Sequence, residues 1–191
     1  VPKQATPYLG VDIGGVLIDR AEEGGDTSFF GSRPMETPIV DGALEALARL
    51  VEAFEGRVCI VSKAGPRIQE LSRRWLVNQG IAPALISWDK VHFVSKRADK
   101  GPVCEQLGIT SFIDDNVGVL NYLTTVRRLI LFSGGTPPDR YPKQVPKSMT
   151  LARSWPEATR IILERMKDDE RTSLMLYYFL FIQVGMALGS L

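Results

Sequence analysis

The amino-acid sequence predicts an α/β protein of the doubly wound, Rossmann-like kind, built on a parallel five-stranded sheet. Five short apolar runs alternate with stretches of helical periodicity, the pattern of a parallel sheet with crossover helices. Several of those runs end on a carboxylate or hydroxyl, and a doubly wound sheet collects its ligands at the carboxyl ends of its strands. At 191 residues the chain suffices for one such domain with a proper core and is short for two.

The β-like runs fall at residues 8–12, 57–62, 91–94, 111–114 and 128–132. Between the first two, Asp41 is a candidate N-cap, and Leu44, Leu47, Ala48, Val51 and Phe54 recur at helical spacing. Pro66 suits the first turn of a second helix, with Ile68, Leu71 and Trp75 as its apolar stripe and Gly80 as its stop. A third helix starts near Pro102 and stops at Gly108. A fourth follows Asn116 with Val117, Leu120 and Leu123 facing inward, and a fifth runs from about Trp155 through Met166. The organisation expected is therefore a core over residues 1–150, an amphipathic C-terminal helix over 151–171 and an apolar tail over 172–191. Within the core, residues 20–38 are polar, Gly-rich and aperiodic, and they read as a flap or loop over the site.

Composition narrows the function classes. Lys and Arg number 23 against 22 Asp and Glu, and 45% of residues are apolar, which argues against disorder and against a dedicated nucleic-acid surface. The pairs Arg73-Arg74 and Arg127-Arg128 read as solvated faces, and the single histidine, His92, as a residue packed on or beside a strand. Cys59 and Cys104 lie in apolar segments without metal-ligand spacing and read as reduced core residues, with a disulfide as the weaker alternative. The chain as given opens with no charged segment leading into an apolar one, so a cytoplasmic setting is the expectation.

The chemistry is concentrated at strand ends. Asp12 closes the first run and opens into Gly14-Gly15, Ser62 closes the second, and Asp114-Asp115 close the fourth, while Lys100 precedes the helix that leads there. A carboxylate can attack phosphorus and later be released by water. Hard oxygen ligands from Asp12 and Asp114 suit Mg²⁺, which would offset the repulsion between carboxylate and phosphoryl group. A hydroxyl and an ammonium would steady the phosphoryl oxygens, and Lys63 and Lys96 compete with Lys100 for the second role.

These four segments resemble the motifs of the haloacid dehalogenase (HAD) superfamily. The first is Val11-Asp12-Ile13-Gly14-Gly15-Val16-Leu17, the second Val58-Cys59-Ile60-Val61-Ser62, the third Lys100, and the fourth Phe112-Ile113-Asp114-Asp115. The resemblance covers about residues 8 to 132. It implies a Mg²⁺-dependent hydrolase, a phosphatase working through an aspartyl-phosphate on Asp12. Ser62, Lys63 and Lys100 would bind phosphate, and Asp12, Asp114, Asp115 and the Gly14 carbonyl would hold the metal. Gly14 stands where the family has a second aspartate that protonates the leaving group, so metal binding is retained and general acid catalysis is not. The alternative is a weakened phosphate-binding or interaction module on the same fold. The intervals between motifs leave no room for a separate cap domain, which implies an open site and a phosphorylated substrate, small or macromolecular.

Leu9-Gly10-Val11-Asp12-Ile13-Gly14-Gly15 also resembles the first phosphate loop of sugar-kinase and actin-like ATPases. That fold needs two related domains and a second Gly-rich phosphate segment, which 191 residues do not supply. At the other end, residues 174–191 carry no charge, and Gln183 and Ser190 are the strongly polar exceptions. Such a run is buried in protein or lipid. A membrane span of ~20 apolar residues is one reading, with Arg165, Lys167 and Arg171 on the cytoplasmic side. Gly185 and Gly189 have the spacing of a helix-pairing face, and the other reading is a terminal helix packed on its own domain or on a partner's, as a homo-oligomer contact through 174–191, or a tail foreign to the native domain.

Overall fold

A computed structural model describes residues 6–19, 29, 31–134 and 144–188, with the side chains of 170, 173 and 176–188 outside the description. Statements of absence below concern the described residues. The elements in chain order are β1 (Leu9–Val11), α1 (Ala43–Ala53), β2 (Val58–Lys63), α2 (Pro66–Asn78), β3 (Val91–Val94), α3 (Lys100–Leu107), β4 (Ser111–Asp114), α4 (Val117–Leu120), β5 (Arg128–Phe132), β6 (Met149–Ala152) and α5 (Trp155–Leu188).

The sheet has six strands, not five, in the order β3-β2-β1-β4-β5-β6, and each neighbouring pair is parallel. The added strand is β6, which pairs Leu129 with Met149 through Phe132 with Ala152. Every residue of β1 and β4 is buried, as expected of parallel strands covered on both faces. Strand order reverses between β1 and β4: one connection leaves β1 towards β2, and the chain later returns to place β4 on its other side. The crevice beyond the carboxyl ends of those two strands is where such a sheet accepts a ligand.

The first four helices sit where the sequence places them, with two local differences in α1, whereas the fifth, expected from about Trp155 through Met166, continues as one helix to Leu188. The residue capping α1 is Gly42 in a left-handed conformation, not Asp41, and no side chain caps that end. The buried face of α1 is Ala43, Ala46, Leu47 and Leu50, and Leu44 points to solvent at 37% exposure. Both sets have helical spacing. Leu47 and Phe54 of the expected stripe are buried as well. The C-cap of α3 is Gly108 at φ +67°, a conformation that favours glycine. On one side of the sheet Cys59, Val61, Cys104, Ile109, Phe112, Leu120 and Leu131 form a continuous core.

The chain divides into two units, Val1–Thr159 and Arg160–Leu191. The second comprises the greater part of α5, where an Arg160–Glu164 ion pair at 2.9 Å spans one helical turn. Among the described residues no helix is long and apolar enough to cross a membrane. The backbone of the apolar run 174–191 continues α5 through Leu188, while 189–191 and, of the expected flap, 20–28 and 30 lie outside the described residues. Residues 31–38 of that segment are described, and they include a single 3₁₀ turn at Pro34–Glu36.

Candidate active site

β1 delivers Asp12 to the crevice. The Asp12 N–H still donates to the Ile113 carbonyl at 3.0 Å, so the ladder with β4 runs one residue past the strand and fixes the backbone that carries the carboxylate. Beyond it the chain coils on itself: Val16, Leu17 and Ile18 all direct their N–H groups to the Ile13 carbonyl, at 3.3, 2.9 and 2.9 Å. Gly15, at φ +71°, makes this tight turn accessible without a Cβ penalty. The returning arm closes against the turn through an antiparallel bridge between Ile18 and Ile39.

β4 delivers Asp114, which is fully buried. One of its oxygens accepts the Asn116 N–H at 2.9 Å, and the other accepts from Lys100 Nζ at 2.8 Å. Asn116 in turn caps α4 by accepting the Val119 N–H at 3.1 Å. Lys100 is the first residue of α3, and its side chain runs inward until the ammonium lies between Asp114 and Asp12, 2.9 Å from Asp12 Oδ1. The same ammonium sits over the Phe112 ring at 5.4 Å. Two glycines make room for this arrangement. A Cβ on Gly10 would lie 2.4 Å from Phe112 Cδ2, and one on Gly101 would lie 2.6 Å from the Tyr122 carbonyl oxygen.

A buried lysine is costly unless its charge is matched. Burial pulls the Lys100 ammonium down, but the charges of Asp12 and Asp114 outweigh it and hold the group above its ordinary value. Asp114 is pushed up to about 7, by burial first and then by the charge of Asp12, against the opposing pull of Lys100. Three carboxylates, from Asp12, Asp114 and Asp115, place an oxygen each within 4.8 Å of one another. The Lys100 ammonium pairs with two of them, Asp12 and Asp114.

A hard divalent cation suits this donor set. The Asp12 Oδ1 contact with Lys100 is an ion pair without the alignment of a hydrogen bond, so that buried oxygen has no hydrogen-bond donor among the described residues. Its lone pair is what a Mg²⁺-sized ion would satisfy. The Asp12 side chain is also 13% exposed, whereas Asp114 is at 0% and Lys100 at 1%, so Asp12 is the member of the trio open to solvent.

The remaining candidates occupy the same end of the sheet. Ser62 is buried near the end of β2, and Lys63, the last residue of that strand, is exposed. Gly14 is exposed, and a Cβ built on it meets nothing within 4 Å. The two cysteines are buried free thiols that take no part: burial, then the proximity of Cys104, pushes Cys59 up to about 12, and burial does the same to Cys104. His92 sits on β3, and burial lowers its pKa despite the nearby charge of Asp89.

No protein-family model matches the chain, and a search of curated proteins finds no match. Its fold is similar to a solved structure described as a haloacid dehalogenase-like family hydrolase from Xanthomonas campestris. The TM-score is 0.50 at 14% identity, over 83% of this chain and 96% of that one. At that identity the likeness speaks to the fold alone.

Proposed function

We propose that this protein is a Mg²⁺-dependent HAD-type hydrolase that cleaves phosphoryl groups from good leaving groups through an aspartyl-phosphate on Asp12. The observation that carries this reading is the buried Lys100 ammonium, 2.9 Å from Asp12 and 2.8 Å from Asp114, inside a cluster of three carboxylates. Asp12, Asp114, Asp115 and the Gly14 carbonyl would hold the metal, whose charge offsets the repulsion between Asp12 and an incoming phosphoryl group.

A free Asp12 oxygen attacks phosphorus in line with the leaving group. The new bond is Asp12 O–P, the bond broken is P–O of the leaving group, and the leaving oxygen keeps the electron pair. Lys100 and Ser62 steady the phosphoryl oxygens as charge shifts among them, and Lys63 meets the substrate at the rim. Water then attacks the aspartyl-phosphate, releasing inorganic phosphate and regenerating Asp12.

Gly14 sets the substrate range. With no acid there, the leaving oxygen departs unprotonated, and the missing general acid costs ~10²- to 10⁴-fold on basic alkoxides. Aryl phosphates, acyl phosphates and phosphoanhydrides escape that cost. The exposed, unneighboured Gly14 also favours a second reading, a phosphate-binding module with little turnover.

One comparison separates the two: turnover of an aryl phosphate and of acetyl phosphate with Mg²⁺, in the wild type and in Asp12→Asn. Metal-dependent turnover lost in the variant supports the hydrolase. Phosphate binding with no turnover in either protein supports the module.

A further inference from the structure

Beyond the groups that meet substrate or metal, we infer that Trp155 is a positioning residue for the turn that carries Asp12 and Gly14, and that its indole N–H is the working part. The inference rests on the reading of Asp12 and Gly14 given above. A buried indole has one donor and needs one acceptor. The one Trp155 takes is the Val16 carbonyl at 2.9 Å, 139 residues away in sequence and two residues after Gly14.

Both partners are fully buried. Val16 lies in the coil whose N–H groups converge on the Ile13 carbonyl, so its own carbonyl points out of the coil and depends on an outside donor. Trp155 is well placed to be one. It is the first residue of α5, its ring packs on Phe132 of β5 at 5.3 Å, and its Cβ lies 3.7 Å from where a Gly42 Cβ would stand.

The second fully buried tryptophan does the same for the returning arm. Trp75 of α2 donates its Nε1–H to the Thr37 carbonyl at 2.9 Å. The two arms are themselves joined by Val40 N–H to the Leu17 carbonyl at 2.8 Å and Asp19 N–H to the Pro38 carbonyl at 3.0 Å. Tryptophans from α2 and α5 thus tether both arms of the excursion that starts at Asp12. A phenyl ring at either position would keep an aromatic side chain but supply no donor to these two carbonyls.

The test is Trp155→Phe in the full chain, which keeps an aromatic ring and deletes the donor. Ile86→Val serves as the control of comparable destabilisation, because Ile86 precedes β3 and belongs to the opposite, amino end of the sheet. Two readouts are taken. Amide hydrogen exchange at Leu17 and Ile18 is expected to rise in Trp155→Phe while β4 amides keep their rates. Mg²⁺ affinity by calorimetry is expected to weaken by about 10-fold or more, as for losses of groups that orient metal ligands. Neither readout is expected to change in Ile86→Val. Unchanged exchange at Leu17 and Ile18 overturns the inference, as does faster exchange with unchanged Mg²⁺ affinity. A wild-type chain that binds no Mg²⁺ overturns the metal reading instead, and the exchange arm then still decides whether Trp155 holds the turn.

Discussion

Replacing Lys100 by Met removes the ammonium and keeps a side chain of similar length in a site with no exposure to spare. At an effective dielectric of about 20, each of the two contacts is worth about 6 kcal/mol before desolvation. Most of that is cancelled by the cost of burying the ammonium. What the substitution leaves is Asp12 and the fully buried Asp114 without the ammonium that both contact, and losing one partner of a buried pair costs about 3–5 kcal/mol. Against a total stability of about 5–15 kcal/mol, this is a large fraction. For a chain of this size it lowers Tm by about 6–20 °C. The assay is urea unfolding in excess EDTA, followed by circular dichroism. Adding Asp114→Asn to Lys100→Met is expected to recover part of the loss, since the pair then leaves fewer charges unbalanced, with a coupling of about 1–3 kcal/mol. Mg²⁺ is expected to stabilise Lys100→Met more than wild type, because it replaces the missing positive charge. A single-variant loss under about 1 kcal/mol, smaller than one ordinary hydrogen bond to a charged group, would refute the idea that Lys100 holds the carboxylates together.

Other perturbations follow the same logic. Gly10→Ala drives a methyl into the Phe112 ring that lies under the Lys100 ammonium, and overpacking of this kind costs about 1–3 kcal/mol. Phe112→Leu in the same chain is expected to return much of it in urea unfolding, and no recovery would argue against the clash. Gly14→Asp fits open space without a strained backbone, so stability should hold while turnover of alkyl phosphates rises by ~10²-fold or more. A gain confined to aryl phosphates would contradict the assignment of Gly14. His92 has a folded pKa below its unfolded value of about 6.5, and its Nε2 is buried without a hydrogen-bond partner among the described residues. The unfolded chain therefore protonates first as pH falls. The stabilisation is complete above about 6.5 and is lost as pH drops through the lower folded value. His92→Gln is expected to flatten stability against pH in that window, and an unchanged slope would contradict it.

The sequence discloses the scaffold because its signals are local. Each of the five expected strands is a short apolar run set off by glycine, proline or polar residues, and each falls within about a residue of β1 to β5. Gly108 stops α3 for a reason visible in one residue. β6 is different. Met149–Ala152 is four residues long, follows Lys147-Ser148, and becomes a strand because β5 offers a free edge, which is a tertiary fact. The choice between Leu44 and the Ala43-Ala46 face of α1 is of the same kind, since both stripes have helical spacing and only the fold shows which is buried.

The site divides along the same line. Asp12, Asp114 and Asp115 are legible as strand-end carboxylates, and the topological switch between β1 and β4 brings them together. Lysine is seldom buried, so residue type alone would place Lys100 in solvent, beside Lys63 and Lys96. Only its position before the helix feeding β4 singles it out, and its double ion pair needs the fold to be seen. The tryptophan tethers are illegible in sequence. Nothing in the chain links Trp155 to a carbonyl 139 residues earlier, and backbone acceptors leave no compositional trace.

The central claim is that Asp12 becomes phosphorylated, and the direct measurement is acid quench of the enzyme turning over acetyl phosphate with Mg²⁺, followed by peptide mass spectrometry. A phosphoryl group on the peptide containing Asp12, absent with EDTA and absent in Asp12→Asn, is the expected result. Turnover with no phosphorylated Asp12 peptide, or turnover undiminished in Asp12→Asn, would contradict the account.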